Sequence, residues 1–277
     1  MVETSFNRLF NEMMRYEKLM RSYVNNFLKY RHFLKELVKK DFKFKYRRSR
    51  LGVLWSLLNP LLMIMVLSIV FSTLFNRHIP NYILYLLTGK LMFDFFSEST
   101  SSAMRAINGN AALIRKIYVP RYLFPISKSV FSLINLAFTL IILFAIMMVS
   151  NIDWSWTVLL FPLPIIYLFV FAVGFGLLLS AYAVFFKDLN HLYGVVTTAW
   201  MYLTPIIYPI DIIPDKYRTV IEANPMYYYI SLFRDIVLNG NFGDLNTHLI
   251  CMGVSLLSLA LGLFVFQKKQ NDFILYL

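Results

Sequence analysis

Six long apolar stretches follow the first fifty residues of this chain, and they differ in how often polarity interrupts them. Residues 53–75 run 23 positions without a charge, about 34 Å as a helix and enough to cross a bilayer. Residues 82–104 are weaker, because Lys90, Asp94 and Glu98 interrupt them. Residues 122–149 carry Lys128 near their start, and residues 156–186 are uncharged but contain Pro162 and Pro164. Residues 189–208 are uncharged and dotted with polar side chains, and residues 247–267 form the sixth stretch. The pattern predicts an all-α membrane protein with six transmembrane helices.

Two segments outside these stretches have patterns of their own. Tyr30, Phe33, Leu34, Leu37 and Val38 share one helical face with Phe44 near it, while Arg31, Lys35, Lys39 and Lys43 run along the opposite face. That division predicts an amphipathic interface helix, apolar side down and basic side toward lipid phosphates. Near the end of the chain, Pro205, Pro209, Pro214 and Pro225 break up the sequence before a 13-residue helical pattern at 226–238. At about 20 Å it is too short to span, a length common in re-entrant or interfacial pieces. Tyr227, Tyr228, Tyr229, Phe233 and Ile236 give it a largely aromatic face.

Composition narrows the class. Hydrophobic residues are 58% of the 277 and charged residues 15%, whereas a soluble domain is about half apolar and a quarter charged. A soluble enzyme and a disordered chain are both disfavoured. The net charge of +12 alone would suggest nucleic acid, but fourteen of the 27 bases lie in residues 1–50 against five acids, a local +9. That is a basic face at a membrane surface. The single Cys251 permits no internal disulfide.

Charge also sets the expected topology. Arg105, Arg115, Lys116 and Arg121 place the loop 105–121 in the cytoplasm. The turn at 151–153 has no base, and the segment 209–246 carries three bases against five acids, so both are expected outside. Lys268 and Lys269 return the tail inside. With no secretory signal before residue 50, both termini are expected in the cytoplasm. The chain then divides into a cytoplasmic segment, 1–50, and a six-span domain, 51–277.

One run joins the amphipathic helix to the first span: Arg47-Arg48-Ser49-Arg50-Leu51-Gly52-Val53-Leu54-Trp55-Ser56-Leu57-Leu58-Asn59-Pro60. It resembles the corresponding motif of permease subunits of type-2 ABC exporters for cell-surface polysaccharides, including O-antigen and teichoic-acid exporters. The resemblance extends to the order of the spans and to Asn110-Ala111-Ala112-Leu113-Ile114-Arg115-Lys116-Ile117-Tyr118-Val119-Pro120. It takes in Tyr208-Pro209-Ile210-Asp211 and Asn224-Pro225-Met226 as well, and is weakest over residues 1–28.

Several expectations follow from it. The resemblance implies a bacterial cytoplasmic-membrane permease exporting lipid-linked polysaccharide of O-antigen, teichoic-acid or capsule type. It implies two copies of the chain working with two copies of a nucleotide-binding ATPase that holds ATP and magnesium. Asn110, Leu113, Ile114, Arg115, Lys116 and Ile117 would form its coupling helix. Their apolar patch suits helix-in-groove docking, although a loop helix packed under the bundle is the plainer reading. The resemblance further implies that Trp55, Trp200, Tyr202 and Tyr208 lie on the dimer path, and that Tyr227, Tyr228, Tyr229 and Phe233 belong to re-entrant gate helices at the outer mouth.

Other assignments rest on chemistry. Arg47, Arg48 and Arg50 suit positive-inside anchoring, and also the diphosphate of a polyprenyl-linked glycan where cargo enters. Lys90, Asp94 and Glu98 at i, i+4 and i+8 share a helix face, either as interior pairs or as the polar wall of a path. No cofactor, metal or nucleic-acid partner is expected. Gly89-Lys90 is the one Gly-Lys pair, and Leu84 stands where a P-loop needs its first glycine. No nucleophile, metal or paired-carboxylate motif is present, so a membrane enzyme acting on polyprenyl-linked sugars lacks its chemistry. A permease for a small drug or lipid is the nearer rival, and the surface helix and aromatic gate argue against it. A simple membrane anchor leaves the re-entrant segment unexplained.

Overall fold

The computed structural model describes residues 29–47, 51–75, 81–150 and 154–277, and every regular element among them is helical. The long helices alternate between two ends. We call the base the end where the surface helix, the loop after residue 104 and the tail of the chain meet. The far end holds residues 204–244.

Helix α1 (Arg31–Tyr46) lies at the base. Its basic row, Arg31, Lys35, Lys39 and Lys43, is exposed as its spacing predicts. Its apolar row has a different partner from the lipid expected. Leu34 and Leu37 are buried, and Leu37 joins Ile107, Ile114, Leu123, Phe124 and Phe273 in one cluster. Phe33 packs edge-on against Phe124, with ring centroids 5.8 Å apart. Lys128 donates to Asp41 at 2.6 Å, fastening α1 to the long helix that starts at Leu123. Phe44 alone stays outward, 83% exposed.

Next come α2 (Trp55–Phe75) and α3 (Tyr82–Met104). Two helical turns follow, α4 (Ala106–Gly109) and α5 (Ala111–Ile114). Then come α6 (Leu123–Val149) and α7 (Pro162–Ala183), the latter preceded by a 3₁₀ turn, Trp156–Leu160. The stretch expected at 156–186 thus splits, because Pro162 and Pro164 suit the first turn of a helix but not its interior.

Among the described residues, three helical stretches are fit by length and composition to cross a membrane: Leu123–Val149, Trp156–Ala183 and Leu245–Tyr276. A shorter apolar helix covers Trp55–Phe71. Helix α3 falls outside this set because of its three charges, yet it is the central helix of the fold. It packs against α2, α6, α7 and α8 (Leu189–Leu203), and fifteen of its residues are buried. A helix surrounded by protein has less need of an apolar surface than one facing lipid.

The stretch expected at 189–208 is helical only to Leu203. Pro205 pushes the residue before it out of helical geometry, and Thr204 is extended (φ −101°, ψ 133°). Beyond it the chain forms α9 (Asp215–Glu222), α10 (Pro225–Val237), α11 (Leu245–Lys269) and a last turn, α12 (Phe273–Tyr276). Helices α7 and α11 approach until backbones touch. A Cβ on Gly262 would overlap the Gly174 carbonyl, and one on Gly174 would overlap the Ser258 backbone. Small residues at such crossings are a usual means of packing helices in a membrane.

Candidate functional site

Three helices turn polar residues toward one cleft. From α3 come Lys90, Asp94, Ser97, Glu98, Ser101 and Ser102, with Arg105 just past its end, from α6 Ser132, Asn135 and Thr139, and from α2 Trp55, Ser56 and Asn59. The groove they line holds about 840 Å³. Helical spacing put Lys90, Asp94 and Glu98 on one face, and all three line it together. Lys90 is ion-paired with Asp94. Glu98 accepts from Asn135 Nδ2 at 2.8 Å and pairs with Lys45 Nζ at 3.3 Å. The Tyr46 hydroxyl bonds the Ser56 hydroxyl and reaches Asn135 Oδ1 at 3.4 Å. The end of α1 is therefore tied to α2, α3 and α6 by polar contacts around this groove.

The aromatic candidates separate. Trp55 lines the groove and is 47% exposed. Trp200 is packed inside, with Phe96 at 5.1 Å and Phe175 at 6.0 Å, and its indole N–H donates to Asn224 at 2.7 Å. Tyr202 is exposed on α8, and the Tyr208 hydroxyl donates to its carbonyl at 2.7 Å. Arg47 is exposed at the end of α1, while Arg48 and Arg50 lie outside the described residues.

Helix α10 is interior to the bundle. Tyr229 and Phe233 are fully buried. The Tyr229 hydroxyl bonds Cys251 O at 3.0 Å and Ser255 Oγ at 2.7 Å, and its ring stacks on Phe171 at 5.4 Å. Tyr227 and Tyr228 are half-buried and meet edge-on at 5.3 Å. Asn224 caps α10 by accepting from Met226 N at 3.0 Å, and its amide donates to Thr204 at 2.8 Å. The end of α8 and the start of α10 thus share one asparagine.

Sequence reasoning missed Arg234. Its guanidinium is buried in α10 and lies 3.4 Å from the centroid of the Tyr85 ring. It donates to Pro205 O at 2.9 Å, Tyr85 O at 3.0 Å and Ile206 O at 3.3 Å, closing the break after α8 onto α3. Gly89 makes room for it, since a Cβ there would lie 2.6 Å from Arg234 Nη2. The available signal was a lone base within an apolar 13-residue helix, whose partners no local pattern reveals.

At the base, the residues 110–118 present two faces. Asn110 is buried, accepting from Lys40 Nζ at 2.8 Å and donating to Ala106 O at 2.8 Å. Ile114 is buried in the base cluster and Leu113 packs against it. Arg115, Lys116, Ile117 and Tyr118 are exposed, Tyr118 completely. On the outer face of α1, Lys39 donates to Glu36 at 2.7 Å and holds its carboxyl below the usual carboxylate range. The base therefore offers an exposed surface that is both basic and aromatic.

Comparison with known proteins adds the following. A family model described as ABC-2 type transporter matches residues 32–238. The O-antigen export system permease protein RfbA of Klebsiella pneumoniae is 31% identical over 242 residues, covering 86% of this chain and 92% of that protein. RfbA of Myxococcus xanthus is 28% identical over 252 residues, covering 90% and 97%. The polysialic acid transport protein KpsM of Escherichia coli is 21% identical over 236 residues, covering 84% and 91%.

Proposed function

We propose that this chain, which belongs to the ABC-2 type transporter family, is the permease subunit of an exporter carrying polysaccharide of the O-antigen or capsule class across the cytoplasmic membrane. The observation that carries the reading is nearly end-to-end similarity to permeases named for those exports. The cargo would travel attached to its lipid.

Six crossings would be made by α2, α3, α6, α7 with its preceding turn, α8 with residues 204–208, and α11. Charge supports cytoplasmic termini. The exposed row of α1, Arg115, Lys116, Lys268 and Lys269 gather at the base, whereas the acid-rich segment 209–246 is at the far end. Helix α10, about 20 Å long and interior, would be the re-entrant part of the gate.

A second copy of the chain would pack along α2 and α8, which flank α3. Both leave apolar faces uncovered, with Val66 and Ile69 on one and Leu192 and Val195 on the other. Trp55, Tyr202 and Tyr208 would then stand beside a shared path, with Trp200 bracing α8 from behind. Arg47, with Arg48 and Arg50, would meet the lipid diphosphate at the cytoplasmic leaflet.

ATP and magnesium would be held by two copies of a partner ATPase. In this chain Gly89 and Lys90 sit in the middle of α3, where backbone amides are committed to helical hydrogen bonds and cannot cradle phosphate. The ATPase would dock on Ile117 and Tyr118, ringed by Arg115 and Lys116. Its closure would press on α5 and α1, which Lys40 and Asn110 connect. The contacts of Lys45 with Glu98 and of Tyr46 with Ser56 would pass that displacement to α3 and α2. The chain itself makes and breaks no covalent bond. Cells deprived of it should lose the surface polysaccharide and accumulate its lipid-linked form on the cytoplasmic face. Undiminished surface polysaccharide would refute the assignment.

A further inference from the structure

We infer that the segment following α11, residues 269–276, is a brace that fixes the docking loop 105–121 against α7 and α11, with Phe273 and Arg121 as its positioning residues. The inference rests on the permease reading above and adds a second route by which ATPase closure reaches the membrane helices.

On sequence alone the chain should leave the bundle here. Lys268-Lys269-Gln270-Asn271-Asp272 is a run of five polar residues at the base, and Asn271 and Asp272 are exposed. Yet Phe273 is fully buried. The 3₁₀ turn Gln270–Asp272 redirects the chain and delivers the Phe273 ring to the base cluster. That cluster also holds Ile107 and Ile114 of the docking loop, Leu37 of α1 and Phe266 of α11. Phe266 meets Phe273 edge-on at 5.3 Å, and Phe185, just past α7, lies 6.0 Å from it.

Polar contacts fix the same turn. Arg121, at the end of the docking loop, donates to Gln270 O. That carbonyl also accepts from Phe273 N, so one acceptor serves both the turn and the loop. Lys269 Nζ stands over the rings of Tyr182 and Phe185, 5.0 Å from each centroid, joining the end of α11 to the end of α7. Tyr276 also meets Phe185 edge-on, at 4.8 Å. The start of the loop is tied nearby, since Asn108 Nδ2 donates at 3.0 Å to the carbonyl of Ala183, the last residue of α7.

Helices α7 and α11 cross with their backbones touching at Gly174 and Gly262, so they form one body. The docking loop is therefore held from two sides. One is α1, through Lys40 and Asn110. The other is the α7–α11 pair, through Asn108, Arg121 and Phe273. A loop held at α1 alone would yield under the ATPase and absorb its stroke. Held on both sides in a close-packed cluster, it passes the displacement on to α7 and α11.

The test uses the complete exporter, permease with its ATPase, and reads two quantities. Amide hydrogen exchange of residues 110–118 in nanodiscs reports whether the loop is held. Lipid-linked glycan moved per ATP hydrolysed in sealed vesicles reports coupling. Phe273→Ala should speed that exchange and lower glycan per ATP, each at least fivefold, with ATP hydrolysis within twofold of wild type. Phe273→Leu, which keeps most of the bulk, should restore both. Arg121→Met should act in the same direction as Phe273→Ala. It empties no buried cavity, so it decides the matter where Phe273→Ala does not assemble. Leu143→Ala, a truncation in the central cluster, should lower the unfolding temperature and change neither reading. Unchanged exchange in both variants, or faster exchange with unchanged glycan per ATP, would overturn the brace. So would proportionate loss of hydrolysis and transfer, which means lost docking, and equal uncoupling by Leu143→Ala, which means general loosening. A wild-type exporter that hydrolyses ATP but moves no glycan would count against the permease reading instead, and the exchange rates would still decide whether the segment holds the loop.

Discussion

Arg234 donates to three backbone carbonyls and makes no ion pair among the described residues, so dipoles and the Tyr85 ring hold its charge inside the bundle. Replacing it removes donors from acceptors that stay buried, at a cost of roughly 1–3 kcal/mol for each one left unsatisfied. Arg234→Met should therefore lower the unfolding temperature in detergent and raise thiol reactivity at Tyr208→Cys. Gly89→Ala should do the same by crowding the guanidinium. Wild-type behaviour of both variants would show that the contact does not hold the far end together. The contrast with Lys90, Asp94 and Glu98 shows what a sequence can reveal about single residues. Their shared face follows from helical spacing alone. The partners of Arg234 are 28, 29 and 149 residues away, and no local periodicity encodes such pairings.

Among elements, apolar periodicity located the helices but not the partner each face meets. Amphipathic α1 has the expected division, yet its apolar side covers the base of the bundle. The apolar patch at 113–117 is similarly split, because the helical turn carrying Leu113 and Ile114 rolls them inward and leaves Ile117 and Tyr118 outside. This separates two effects that sequence alone would merge. Ile114→Asp should bury a charge in the base cluster and lower the yield of folded protein. Ile117→Asp should leave folding and membrane insertion unchanged while removing stimulation of the partner ATPase by the permease. Both are checked by size-exclusion profile and by ATP turnover of the assembled exporter. Full stimulation in Ile117→Asp would move the docking surface elsewhere. The break after α8 was partly legible, since Pro205 marks it, but the buried position of α10 was not. Its aromatic pattern fits a loop helix as well as an interior one, and only contacts with α3, α7 and α11 decide between them.

For the whole molecule, uneven charge was the most readable property of the sequence. Of the net +12, residues 1–50 hold +9, and the segment 209–246 is net negative. The fold puts α1 and the acid-rich segment at opposite ends. In a Cys251→Ser background, Asp215→Cys should react with an impermeant thiol reagent added outside intact cells. Labelling from the cytoplasmic side alone would invert the topology. The groove was far less legible, because α2, α3 and α6 each contribute a stripe that looks incidental in its own helix. The central claim is that this chain forms the path while another chain supplies the energy. It is tested most directly by reconstituting the purified permease in sealed vesicles, with and without its ATPase subunit, and measuring ATP hydrolysis together with transfer of lipid-linked glycan across the bilayer. Both should occur with the ATPase, and neither without it. ATP turnover by the permease alone, or glycan transfer that needs no ATPase, would contradict the claim.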